Sequence, residues 1–297
     1  MKNKTDVTVI VPVHTTDIKN FNKLIKKAYD SVLSNTVLPE RLMFVIGNSK
    51  ELWEVESKDV IAKIKKIVGT TDELVVDYTI NKGCTDFASQ MNYGALNVET
   101  KYMSLLELDD EYAPKWFENV EKYAAEFPDI AMFLPIISDT DEDNHFLGYT
   151  NEIAWAYEFT EKQGILDGEV LKEYPNFNPD GMVMLTDTFL DMGGYKKNIK
   201  LTFNLEFLLR ACDQSAQIMV IPKIGYNHIN MREHSLFWEY KNGENQLNSE
   251  EAALWLEVAK KEFYYIDDRE VELTPPVMES KTVEPIEINA DDKAEVC

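Results

Sequence analysis

Apolar positions follow two alternating rhythms over the first 110 residues. Val7-Thr8-Val9-Ile10-Val11-Pro12-Val13 is a compact β-branched run stopped by proline, as expected of a buried first strand. Phe21, Leu24, Ile25, Ala28 and Val32 then recur at helical spacing. Leu42-Met43-Phe44-Val45-Ile46 predicts a second strand closed by Gly47-Asn48-Ser49, and Val60, Ile61, Ile64, Ile67 and Val68 predict the next helix. Leu74 to Ile80 predicts a third strand ending at Asn81-Lys82-Gly83, followed by a helix through Ala88, Met91, Asn92 and Ala95. A fourth apolar run, Tyr102-Met103-Ser104-Leu105-Leu106, leads straight into Glu107, Asp109, Asp110 and Glu111. Strands and helices alternating across short connections predict an α/β fold with a doubly wound, mostly parallel sheet flanked by helices.

Beyond residue 113 the rhythm loosens. Pro114 opens a helix through Trp116, Phe117, Val120 and Tyr123, and Ala131 to Ile137 predicts another strand. Residues 138–180 are polar, aromatic and rich in turn formers, the composition of loops that shape a pocket. Their aromatic group, Trp155, Tyr157, Phe159, Tyr174 and Phe177, is suited to stacking on a ligand, although core packing is the commoner fate of such residues. Met182 to Leu185 predicts a strand, Phe203 to Cys212 a helix, and Gln217 to Ile221 a short strand. Asn248 and Glu251 predict the cap of a last helix with Ala252, Trp255, Leu256, Ala259 and Phe263 on one face. These elements place one domain over residues 1–265. Residues 266–297, acidic and poor in apolar partners, are expected to form a flexible tail.

Charge changes the picture next. The formal net charge of −23 repels phosphate backbones, so general nucleic-acid binding is not expected. An anionic small substrate would need a metal ion or a local group of donors. Cys84, Cys212 and Cys297 show no metal-type spacing and cannot all pair with one another, which suits a reducing compartment. Residues Met1 to Asp6 lack the apolar centre of a signal peptide, and no stretch has the length of a membrane span. The cytoplasm is therefore the expected location.

The richest chemistry lies in Leu106-Glu107-Leu108-Asp109-Asp110. Carboxylates at a strand's carboxyl end sit where open α/β sheets bind ligands, and their oxygens suit a divalent cation bound to phosphates. An acidic surface turn is the plain alternative. The order of motifs argues against it. Val9-Ile10-Val11-Pro12-Val13-His14, a strand ending near Asn48-Ser49, Asn81-Lys82-Gly83 with Asn92 beyond, and then the acidic run resemble the nucleotide-sugar half of family-two glycosyltransferases of the GT-A fold. Phe189-Leu190-Asp191-Met192-Gly193-Gly194-Tyr195 looks like that family's Gly-Gly-aromatic turn. Asn204-Leu205-Glu206-Phe207-Leu208-Leu209-Arg210 takes the place of its acidic-then-Arg helix, and Arg232-Glu233-His234-Ser235 resembles its closing Arg-x-His segment. The resemblance covers roughly residues 6–240, with a donor half to about residue 137 and an acceptor half over 138–265.

The resemblance implies a metal-dependent transfer of sugar, with inversion, from a nucleotide-diphosphate donor, UDP type foremost, to an unidentified hydroxyl acceptor. It places Asp109 on a manganese or magnesium ion and Glu107 near the ribose or the metal. It makes His234 the candidate third ligand, with His228 a rival and a histidine satisfied by a nearby carboxylate the structural alternative. Pro12, Val13 and His14 fall near the base, Asn48 where the family has a base-binding Asp, and Lys82, Gly83 and Asn92 around the phosphates. Asp110 either assists catalysis or caps the following helix. One departure is serious: the family's catalytic base aligns with Asn204, which cannot accept a proton at neutral pH. Glu206 is the substitute, with Asp180 and Asp187 open. The altered positions also leave a second reading, a non-catalytic binding or assembly protein on a degenerate GT-A scaffold. A nucleotidyltransferase is disfavoured, because Val13-His14-Thr15-Thr16-Asp17 is not a Gly-rich basic phosphate loop.

Overall fold

A computed structural model describes residues 2–13, 20–47, 57–69, 72–82, 86–199, 201–230 and 246–262, together with residues 232, 233, 235, 238 and 242. The first strand, β1 (Asn3–Val13), is followed by α1 (Phe21–Leu33), β2 (Val37–Gly47), α2 (Ser57–Val68), β3 (Val75–Asn81), α3 (Phe87–Ala95) and β4 (Tyr102–Leu105). These four strands lie side by side in the order β3-β2-β1-β4, and every pair is parallel. Parallel strands must be covered on both faces, which explains the near-continuous apolar runs rather than an in-out alternation. Alternate residues still go to opposite layers. Val7, Val9, Val11 and Val13 join the core beneath α1 and α2, while Ile10 joins the core beneath α3. Gly94 lets α3 press close to the sheet, since a Cβ there would meet the Ile10 side chain at 2.7 Å.

Past β4 the sheet becomes mixed. The chain continues through β5 (Glu111–Tyr112), α4 (Trp116–Glu126), β6 (Met132–Thr140), β7 (Phe146–Thr150), a 3-10 turn at Glu152–Trp155, β8 (Ile165–Leu166), α5 (Gly168–Glu173), β9 (Val183–Leu185), α6 (Thr186–Asp191), α7 (Phe203–Asp213), β10 (Ile218–Ile229) and α8 (Ser249–Glu262). The sheet order extends from β4 to β9, β6, β10 and β5, with β9 antiparallel to both β4 and β6, and β6 parallel to β10. The doubly wound α/β class expected from the sequence is the one found. Among the described residues no helix is long and apolar enough to cross a membrane.

Two features of the second half differ from the sequence reading. The loop expected over residues 138–180 contains β7, which pairs with β6, as well as β8 and α5. The strand expected to stop at Ile221 runs on to Ile229. Pro222 and Gly225 lie within it, where the ladder to β6 shifts register at Val220/Ile224 and Ile224/Tyr226 and then resumes. Gly225 is required by contact, because a Cβ there would lie 2.3 Å from the Trp116 ring. The expected cap of the last helix forms: the Asn248 Oδ1 accepts from the Glu251 N–H at 2.9 Å, and the Glu251 carboxylate accepts from the Asn248 N–H at 3.1 Å. The acidic tail assigned to 266–297 lies outside the described residues.

Candidate active site

The acidic run at the end of β4 forms a tight turn, with the Asp110 N–H donating to the Glu107 carbonyl at 3.2 Å. Several elements hold it. Tyr226 of β10 accepts from the Glu107 N–H at 2.9 Å, and Tyr112 donates to the Leu105 carbonyl at 2.7 Å. Lys27 of α1 donates to the Asp109 carbonyl at 2.9 Å and pairs with Glu111 at 3.1 Å. The three carboxylates are thus displayed on a braced turn. Oxygens of Glu107, Asp109 and Asp110 lie within 4.8 Å of one another.

A second group adjoins the first. Asp180 precedes β9, and since β9 runs antiparallel to β4, its amino end meets the carboxyl end of β4. Gly181, at φ +72°, lies against the same Tyr226 ring that holds Glu107; a Cβ there would meet it at 2.5 Å. His228, near the end of β10, hydrogen-bonds through Nδ1 to Asp139 of β6 at 2.8 Å, and Thr150 of β7 donates to the other Asp139 oxygen at 2.6 Å. Asp110, Asp180 and His228 form a further triad with ligand atoms within 4.8 Å.

These neighbours set the protonation chemistry. Burial raises the Glu107 carboxyl well above the usual carboxylate range, and Asp180, Asp109 and Asp110 push it further. Asp110 is likewise raised well above its ordinary value, chiefly by burial and against the pull of His228. Burial alone would lower His228, but Asp110, the hydrogen bond to Asp139, Asp180 and Glu107 lift it to about 10. Asp109 has a partner of its own. Its Oδ2 accepts from Arg232 Nε at 2.6 Å, so the last acid of the signature faces a guanidinium of the protein.

The remaining sequence candidates divide by place. Pro12 and Val13 are buried at the carboxyl end of β1, and Lys82 is exposed just past β3, on the same sheet edge as Glu107. Asn92 is elsewhere engaged. Its carboxamide donates to the Tyr195 carbonyl and accepts from the Tyr195 N–H, both at 2.8 Å, pinning the Gly193-Gly194-Tyr195 turn to α3. A Cβ on Gly194, at φ +64°, would lie 2.3 Å from Asn92 Oδ1. Asn92→Ala would leave two buried backbone groups of Tyr195 unpaired, an expected loss of about 3 kcal/mol measurable by urea denaturation. His14, Asn48, Gly83 and His234 lie outside the described residues.

Glu206, the substitute base, has no open face. It is fully buried, with its two oxygens on Arg210 at 2.7 and 2.8 Å and with Lys196 at 3.2 Å. Arg210 also donates to the carbonyls of Met192 and Gly194, so the pair fixes the Gly-Gly turn. A carboxylate held in this way cannot reach a substrate hydroxyl without breaking the clasp. Asp187 is exposed in the first turn of α6, beyond the far end of β9 and away from Glu107. Asn204 Oδ1 is buried and has no hydrogen-bond partner among the described residues.

The aromatic residues of 138–180 are mostly packing. Phe159, Tyr174 and Phe177 contact one another, and Trp155 donates to the Val220 carbonyl at 2.9 Å, whereas Tyr157 is exposed. The residues that sequence reasoning passed over are Asp139 and Thr150. Asp139 stands at the end of a strand that sequence reading closed at Ile137, and Thr150 carries no local signal.

A parallel half-sheet ending in a braced acidic turn, with further carboxylates and a histidine brought in by a mixed half-sheet, is the GT-A pattern. Residues 8–179 match the model of glycosyl transferase family 2, more than half of the chain, and the protein belongs to that family: it is a glycosyltransferase. Its fold is shared by solved structures of S. aureus TarS. TarS 1–349 in complex with UDP aligns with a TM-score of 0.54 at 13% identity, over 89% of this chain and 71% of that one. TarS 1–349 aligns with a TM-score of 0.55 at 12% identity, over 92% and 88%. The longer TarS structure gives 0.51 at 13% identity, over 89% of this chain but 43% of that one. At such identities the likeness is one of fold. No curated protein matches the chain.

Proposed function

We propose that this glycosyltransferase moves a sugar, with inversion, from a UDP-type nucleotide-diphosphate donor to a hydroxyl acceptor, assisted by a divalent cation. The observation that carries the reading is the 107–110 turn, three carboxylates within 4.8 Å on the edge where β1, β3 and β4 end. Open α/β sheets bind nucleotides on that edge. The TarS fragment was solved with UDP, which supports the choice of base. Pro12 and Val13 would flank the nucleotide and Lys82 the phosphates, with His14, Asn48 and Gly83 near them in sequence; Asn92 supports the turn opposite.

The donor set suits a divalent ion, since hard carboxylate oxygens converge and one of them, Asp110 Oδ2, is buried without a partner among the described residues. When bound, such an ion neutralises the diphosphate as the glycosidic bond breaks. The family signature would put the ion at Asp109 with His234 as a further ligand; Asp110 adjoins that position, and Glu107 stays uncommitted to the ion. Proton removal from the acceptor is a separate task. Asn204 cannot perform it and Glu206 is sealed. Of the carboxylates at the turn, Glu107 has no hydrogen bond or ion pair on its carboxylate among the described residues and keeps some solvent access. We assign it the proton.

Thermal unfolding with UDP, GDP, CDP and ADP, each with and without Mn2+, tests the reading. UDP with Mn2+ is expected to stabilise the fold by roughly 2.7 kcal/mol at a hundredfold excess over Kd. No shift with any of the four nucleotides would reject a nucleotide-sugar donor.

A further inference from the structure

Building on the transferase reading, we propose that the cation is seated between Asp110, Asp180 and His228, displaced from the Asp109 position that the family signature would suggest. Three observations converge there. First, the ligand atoms of these residues lie within 4.8 Å of one another, on three separate and well-anchored segments. Second, Asp110 Oδ2 and Asp180 Oδ1 are both buried and both lack a hydrogen-bond partner among the described residues, on side chains 0% and 3% exposed. Their companion oxygens are satisfied: Asp110 Oδ1 accepts from the Ile229 N–H at 2.9 Å, and Asp180 Oδ2 accepts from Asn178 at 2.7 Å. Each carboxylate is therefore held by one oxygen and offers the other. Leaving two carboxylate oxygens bare in the interior is costly, and a cation between them removes the cost.

Third, His228 is oriented as metal-binding histidines are. Its Nδ1 is tied to Asp139, and Asp139 is held in turn by Thr150, which leaves Nε2 for the triad. A carboxylate behind the imidazole fixes the ring and its tautomer and strengthens the free nitrogen as a donor. Asp109 lacks these features, because Arg232 occupies its Oδ2. Two carboxylate oxygens and one imidazole nitrogen favour Mn2+ over Mg2+, which prefers all-oxygen surroundings. The competing occupant is a proton on His228, whose imidazolium would answer both bare oxygens without any metal.

Titration calorimetry of the full chain with MnCl2, in the presence and absence of UDP, separates the cases. The proposal expects Mn2+ to bind at least tenfold more tightly than Mg2+. It expects Asp180→Asn and His228→Gln each to weaken Mn2+ at least tenfold, and Asp109→Asn to weaken it less than threefold. Mn2+ lost in Asp109→Asn and retained in Asp180→Asn would overturn the seat. So would UDP binding with no Mn2+ binding, an outcome that leaves the donor reading intact and favours the proton. Mn2+ binding with the expected variant pattern but no UDP binding would keep the seat and reject the donor. Neither ligand binding would reject both. Electron spin echo spectroscopy of Mn2+ needs no variant of the triad and so survives a folding failure. A nitrogen coupling that persists in His234→Gln supports His228 as the ligand, and one that disappears there overturns it.

Discussion

Arg210→Met is expected to lower stability by about 3–5 kcal/mol, the usual cost of removing one partner of a buried ion pair. Glu206 has no exposed surface, and Lys196, at 3.2 Å, cannot replace the paired guanidinium contacts. The same change strips donors from the carbonyls of Met192 and Gly194, so the Gly-Gly turn loosens as well. Adding Glu206→Gln should recover part of the loss, because the uncompensated charge is then gone. Urea denaturation of the wild type, the single variant and the double variant measures both effects. A single-variant loss below 1 kcal/mol would restore Glu206 as a carboxylate free to act on substrate.

Glu107→Gln is expected to reduce kcat by about 10²–10⁴-fold, the range for loss of a general base. Stability should move the other way. Burial and the nearby carboxylates raise the folded-state pKa of Glu107 above its unfolded value, so at neutral pH its ionised form strains the fold. That destabilisation grows as pH rises above the unfolded pKa and is absent at lower pH, where the group is protonated in both states. Glutamine removes it, and the variant should melt at a higher temperature than the wild type at pH 7, with the gap closing near pH 4. Loss of activity together with loss of stability would mean that Glu107 is a structural residue.

The donor side was legible because its signals are local. Each of β1 to β4 contains an apolar run, and each helix between them shows one apolar face, so the parallel class follows from their alternation. The acidic turn was legible for the same reason, as charge placed where a buried strand ends. The second half was harder because its logic is long-range. The strand expected to end at Ile221 continues through Pro222 and Gly225, which the shifted ladder to β6 and the Trp116 ring explain. That misreading kept His228 off the sheet edge and out of reach of Asp139. The setting of Glu206 was hidden for a related reason: its spacing to Arg210 suggests a surface helix pair, and nothing local shows that both are buried beside the Gly-Gly turn. Asp180 could be named from sequence, but its place beside Asp110 depends on β9 running against its neighbours.

The position of β9 also governs how the chain can fold as it is made. Its three residues, Val183–Leu185, join β4 to β6, strands that end at Leu105 and Thr140, well before it appears. Until they emerge from the ribosome, the nascent chain carries two strand edges with unpaired backbone groups, the kind that pair with other chains. The joining of β4 to β6 through β9 therefore waits until residue 185 has been made. Those open edges are the part of the unfinished chain most exposed to aggregation, and pairing with β9 removes that exposure.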